Sequence, residues 1–199
     1  MTNKRAIPMA VRSNKGFSLI ELLVVSAIII VAASVGGNYF LTAYRARSYQ
    51  ATKTVDGFVA QSKINAMSGK KNCLIIRYDE SEKCYKCGLH SIGYDSVAGA
   101  YVDSADAYEH QDVGNDHLHI LCGPDADGNK YDLLAGGFMR LEYNMDTGKV
   151  KKLTVTKPNG SVITVLGSGV ATTIADIDFE FYSNHNIKIY KSTGEHEYT

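Results

Sequence analysis

The feature that most constrains this chain is the run from Phe17 to Val35, in which the only ionisable residue is Glu21. As a helix rising 1.5 Å per residue, such a run is roughly 28 Å long, close to the ~30 Å hydrocarbon core of a bilayer. It predicts a membrane-crossing helix over about residues 17–38. Lys4, Arg5, Arg12 and Lys15 precede it, and the next charge after Glu21 is Arg45. Positive residues stay on the cytoplasmic side, so the N-terminus is expected inside and everything after the run outside. An ordinary secretory signal peptide shares the basic start but has an apolar core of only about 7–15 residues. A generic signal anchor accounts for the length and leaves Glu21 unexplained. At a helix centre an acidic charge costs about 2.5–3.5 kcal/mol in lipid, and less near an end. Such a residue asks for a partner.

The cluster "KGFSLIELLVV" resembles the prepilin cleavage site of type IV pilins and pseudopilins. The resemblance implies cleavage between Gly16 and Phe17 by a prepilin peptidase, which removes a basic leader (1–16) and keeps the helix. Glu21 is then the fifth mature residue, the family's most characteristic position. Cleavage creates an α-amino group on Phe17, mostly cationic at neutral pH because its ordinary pKa is about 7.7–8.0. The family N-methylates this amine and so keeps its charge. In a filament of side-by-side helices, Glu21 of one subunit meets the Phe17 amine of a neighbour. Each charge is poorly satisfied alone and both are satisfied in the pair, so the pair sets register.

Beyond the membrane run there is no proline between Pro8 and Pro124. Tyr44, Ser48, Ala51, Val55, Phe58, Val59, Ser62 and Ala66 recur at steps of three or four, one face of an amphipathic helix. Gly69 is a plausible end. The helix is therefore expected over 17–70, with Gly36 and Gly37 weakening its middle by about 1 kcal/mol each relative to alanine.

From residue 71 to 199 the period changes to that of strands. "CLIIRYD", "CYKCGL", "HLHIL", "GFMRLEYN", "KVKKLTVT", "SVITVLG", "IDFEFYS" and "IKIYKS" are separated by turn chemistry such as "ESEK", "MDTG" and "KPNG". In "IDFEF", Ile177, Phe179 and Phe181 are expected on one face and Asp178 and Glu180 on the other. The fold class is α+β: a long N-terminal helix packed on an antiparallel meander, which loosely resembles a minor pseudopilin. Residues 88–116, polar and tyrosine-rich, are expected to be a long loop.

Four clusters in this head could carry chemistry. "CGPDADGNKYD" sets Asp125, Asp127 and Asn129 at alternate positions, followed by Tyr131 and Asp132. This is the start of an EF-hand-like calcium loop, with Gly128 early and Gly136 where a bidentate Glu belongs. A polar Asx turn is the competing reading. Cys73, Cys84, Cys87 and Cys122 could form disulfides outside the membrane, hold structural zinc, or stay as thiols. Cys84 and Cys87 would face opposite sides of a plain strand, so a turn at Tyr85-Lys86, or bonds to distant cysteines, is expected. His117 and His119, with Glu109 and His110 upstream, form a lesser metal candidate against a solvated strand face.

Lys+Arg and Asp+Glu both number 21, so the balanced charge and the absence of a basic aromatic stripe give no indication of nucleic acid. No phosphate loop, nucleophile elbow or zinc-protease helix is present. The expectation is a non-enzymatic subunit of a type IV pilus or a type II secretion-like filament. The resemblance implies other pilin subunits, the prepilin peptidase, a platform protein and an assembly ATPase as partners. It places the chain in the cytoplasmic membrane, single-pass with an extracytoplasmic head, and then in a surface filament. No cofactor is expected apart from calcium. The alternative is a membrane-anchored extracellular enzyme or metal-binding module using a pilin-like anchor.

Overall fold

The computed structural model describes residues 17–125, 127–165, 172–179, 184–190 and 192–198. The basic leader and Gly16 lie outside them. The chain divides into two compact units, Met1–Phe40 and Leu41–Thr199, and one helix, α1 (Leu19–Met67), contributes to both.

In the first unit α1 is apolar on every side. Leu19 is 85% exposed and Ile30 68%. Its most apolar window has a mean hydropathy of 2.6 and buries none of its residues within the chain, so by length and composition it can cross a membrane. The serines in this run are compatible with lipid because they satisfy themselves. The Ser26 hydroxyl donates to the Leu23 carbonyl and Ser34 to that of Val31, both at 2.8 Å.

In the second unit the expected helical stripe is the buried one. Ser48, Ala51, Val55, Phe58, Val59, Ser62 and Ala66 are all buried, joined by Thr52 and Asn65, with Tyr44 half-buried beside them. Each large side chain so buried contributes about 1.5–3 kcal/mol. The helix stops where the sequence places a glycine. Gly69 has φ +83°, its N–H bonds to Ala66, and the Lys70 N–H reaches back to Asn65. These two bonds make a Schellman motif, and a side chain at Gly69 would be strained.

Twelve strands follow: β1 (Asn72–Asp79), β2 (Cys84–Asp95), β3 (Ala100–Asp103), β4 (Glu109–Asn115), β5 (Leu118–Cys122), β6 (Tyr131–Asp132), β7 (Phe138–Tyr143), β8 (Val150–Thr156), β9 (Val162–Thr164), β10 (Thr172–Phe179), β11 (Asn184–Ile189) and β12 (His196–Tyr198). Both antiparallel sheets are built from them. The larger runs β3-β2-β1-β7-β8-β9, with β4 also on β2, and the smaller runs β12-β11-β10-β5-β6. Leu74, Ile76, Tyr85, Cys87, Leu89, Met139, Leu141 and Val155 from the larger sheet share one core with the helix stripe and with Leu118, Ile120, Cys122, Ile187 and Ile189 of the smaller. The buried Tyr85 hydroxyl joins the two sheets by donating to the Leu118 carbonyl at 2.7 Å.

Two expectations are corrected. The head is not a simple meander: β1 pairs with β7 across five intervening strands, and β5 pairs with β10. Turn residues encode local hairpins but carry no signal for pairing between distant strands. Nor is 88–116 a loop. β2 continues to Asp95, β3 pairs with its far end and β4 with its near end. β3 and β4 form the sheet's edge and are exposed at nearly every position, so they lack the alternation that marks a half-buried strand. Of "IDFEF", Glu180 and Phe181 lie outside the described residues, as do the side chains of 177–179.

Candidate functional site

The N-terminal end of α1 holds Glu21, the single charge between Phe17 and Arg45. Its carboxylate is already engaged within its own chain. The Ser18 backbone N–H donates to Glu21 Oε2 at 2.9 Å, and the Glu21 N–H donates to the Ser18 hydroxyl at 3.2 Å. The pair is a capping box, in which two N–H groups left over at the helix start are satisfied reciprocally. The helix dipole also favours a negative charge there. This amends the expectation that Glu21 is poorly satisfied alone: one carboxylate oxygen has a partner before any neighbour arrives. Ser18 was not singled out from the sequence, although the spacing Ser-x-x-Glu before an apolar run is its signature. Phe17, 78% exposed, sits directly before this cap.

The acidic segment of the head forms a turn. Asp125 Oδ1 accepts the N–H groups of Asp127 and Asn129 at 3.0 and 2.8 Å, and the Asp125 N–H bonds to the Asn129 carbonyl. Asp132 faces other work. Its Oδ2 lies 2.7 Å from His119 Nδ1, and its Oδ1 accepts the Leu134 N–H to cap the 3-10 turn Leu133–Ala135. The Tyr131 hydroxyl donates to the Gly136 carbonyl. The structure therefore does not gather Asp125, Asp127, Asn129, Tyr131 and Asp132 around one point.

No disulfide joins the cysteines. β2 runs as a strand through Cys84 and Cys87, so the expected turn at Tyr85-Lys86 is absent. The register opposes Cys87 to Ile76, on the core face, and Cys84 to Asp79, on the other. Cys73 is buried on the outer face beside Asp103 and Arg140, and burial pushes its thiol up to about 12. A four-cysteine zinc site is thus not assembled. Among the described residues, one group of three His, Cys, Asp or Glu side chains brings its ligand atoms within 4.8 Å of one another: Glu82, Cys84 and Asp112. The Lys86 ammonium lies 3.0 Å from Glu82 and 2.9 Å from Asp79, so a cation there would have to displace it. His117 lies 4.0 Å from Asp116 and His119 pairs with Asp132, while Glu109 and His110 lie on exposed β4.

A half-buried charge network centred on Arg140 holds the edge hairpin down. Arg140 makes two bonds to Asp103, at 2.6 and 2.8 Å, and one to Glu142 at 2.8 Å; Lys151 also reaches Glu142. Burial alone would raise both acids. The Arg140 guanidinium holds Asp103 below its ordinary range, and Lys151 with Arg140 does the same for Glu142.

Residues 11–36 match the family model of the prokaryotic N-terminal methylation motif. This is the N-terminal signal of type IV pilins and pseudopilins, and the matched span contains Gly16, Phe17, Ser18 and Glu21. The motif supports a pilin-like or pseudopilin subunit. It implies, in general terms, processing by a prepilin peptidase, assembly with other pilin subunits and anchoring in a membrane. No curated protein and no solved structure matches the chain.

Proposed function

We propose that this chain is a minor pilin or pseudopilin, a filament subunit whose role is assembly and not catalysis. The observation that carries the reading is the methylation signal over 11–36, laid on the start of a helix whose stretch to Val35 is apolar all round and charged only at Glu21. In this account the subunit waits in the cytoplasmic membrane with its head outside. Cleavage after Gly16 frees the Phe17 amine, and methylation keeps it cationic. The capping box fixes Glu21 at the head of the helix with Oε2 engaged. Its other oxygen is left to accept the amine of an adjacent subunit. In hydrocarbon an unpaired amine is costly, so the pair favours one axial register between helices over slipped ones. A platform protein and an assembly ATPase would extract the subunit into the filament. The β head supplies the filament's outer surface.

Mass spectrometry of the mature N-terminus tests the processing step. The expected species starts at N-methylated Phe17, and Gly16→Leu accumulates the uncut chain. A mature chain beginning anywhere else contradicts the proposal.

A further inference from the structure

The outer face of the larger sheet carries a cavity of about 320 Å³, enclosed by β1, β2, β4 and the segment 104–108. Its floor depends on a missing side chain. A Cβ at Gly88 would lie 2.8 Å from the Ala107 Cβ and 3.3 Å from the Glu109 carbonyl oxygen. Gly88 therefore lets the segment cross tightly over β2. That segment is pinned at both ends: Ser104 exchanges backbone and hydroxyl bonds with Ser91, and the Tyr108 N–H donates to Leu89.

Four nitrogen-bearing side chains line the cavity: Arg77, Lys86, His90 and His110. His90 is 8% exposed. Its Nδ1 lies 2.8 Å from the Ser104 carbonyl. A carbonyl only accepts, so Nδ1 carries the hydrogen and the ring is held with Nε2 left over. Among the described residues the Arg77 guanidinium has neither an ion-pair nor a hydrogen-bond partner, unlike that of Arg140 in the same sheet. Asp79 and Glu82 already match the charge of Lys86. Asp106 is the one carboxylate in the lining, and Ile75 with the alanines supplies apolar surface.

We propose that this cavity is a binding site for a hydroxylated oxyanion, the chemistry of an acidic sugar unit. The Arg77 fork takes the carboxylate or phosphate group with a His110 ring N–H donating beside it, and His90 Nε2, with the ring hydrogen on Nδ1, accepts from a sugar hydroxyl. Asp106 accepts from a hydroxyl. The sugar's C–H face lies on the small apolar floor. A volume near 320 Å³ suits one ring and excludes a bulky ligand. The proposal goes beyond filament assembly and does not depend on it.

The test uses the full-length, ¹³C-labelled chain in non-ionic detergent, following the Cε1 signals of its six histidines. The probes are glucuronate and glucose 1-phosphate, with glucose and acetate as controls. The His90 and His110 signals should move together and saturate with at least one of the sugar acids, while the other histidines stay still. Which acid binds identifies the carboxylate or the phosphate as the recognised group. Arg77→Ala should weaken that binding by about tenfold or more. Arg77 is exposed, so this variant should still fold; His110→Ala, on an edge strand, is the second check and should also bind more weakly. The proposal is overturned if neither acid gives a saturable shift at His90 and His110. It is equally overturned if glucose binds as tightly as glucuronate, or if Arg77→Ala titrates like the parent.

Discussion

Valine occurs at position 31 and again at position 55 of the same helix, 63% exposed at the first and fully buried at the second. The first unit presents apolar side chains in all directions and covers none of its most apolar window within the chain. The second turns one stripe inward and keeps Arg45, Arg47 and Lys53 exposed. A helix of the second kind is stabilised by its own protein. A helix of the first kind needs an apolar medium from elsewhere, either lipid or other helices. The two units thus answer to different solvents, and substitutions should separate them.

The largest effect should come from the core. Leu74→Ala, at a fully buried site, should lower head stability by about 4 kcal/mol, whereas Leu23→Ala, 60% exposed in the first unit, should leave head melting unchanged. Denaturant melts of the two variants in detergent make the comparison. Comparable losses would mean that the units do not behave independently.

Next comes the network that holds the edge hairpin. Arg140→Met should cost about 3 kcal/mol by leaving Asp103 and Glu142 without their shared partner. Both acids are held low in the folded chain, so their contribution is fully present above their unfolded pKa values, near 4. It is lost as pH falls through the lower folded values. The parent's melting temperature should therefore drop as pH goes from about 5 to below 4, and the drop should be shallower in Arg140→Met. A parallel pH profile would show that the network does not carry the acid sensitivity.

Smaller still is the acidic turn. Asp125→Ala should lower head stability by about 2 kcal/mol, and by the same amount in the presence of a chelator, because the lost contacts are two backbone N–H groups. A loss that appears only with calcium present would restore the ligand role. Smallest is the cap. Ser18→Ala should loosen the start of α1 by about 1 kcal/mol, seen as faster amide exchange at residues 19–22, with head melting untouched.

The sequence was most legible where chemistry is local. The uncharged run, Glu21 at a fixed distance from the Gly-Phe junction, the helical stripe and the Gly69 stop could all be read from neighbouring residues. What could not be read depends on partners distant in sequence. Nothing in Leu74 announces Leu141, or in Arg140 its bond to Asp103, thirty-seven residues away. β3 and β4 were hidden for another reason: nearly every residue is exposed, so polar and apolar positions do not alternate, and only their backbone bonds make them strands. The cysteines show the limit of spacing arguments. Two residues between Cys84 and Cys87 meant a pair only if the chain turned, and the ladder with β1 keeps it straight.

Under the proposed function Glu21 serves assembly, while folding of the head and cleavage proceed without it. The direct measurement is the ratio of sheared-filament to membrane-bound protein for the parent and for Glu21→Val, with the mass of the mature N-terminus checked on the same samples. The account predicts normal cleavage at Phe17, an unchanged head, and a filament fraction at least about tenfold lower, since the neighbour's amine loses its partner. Equal ratios with normal cleavage would contradict it.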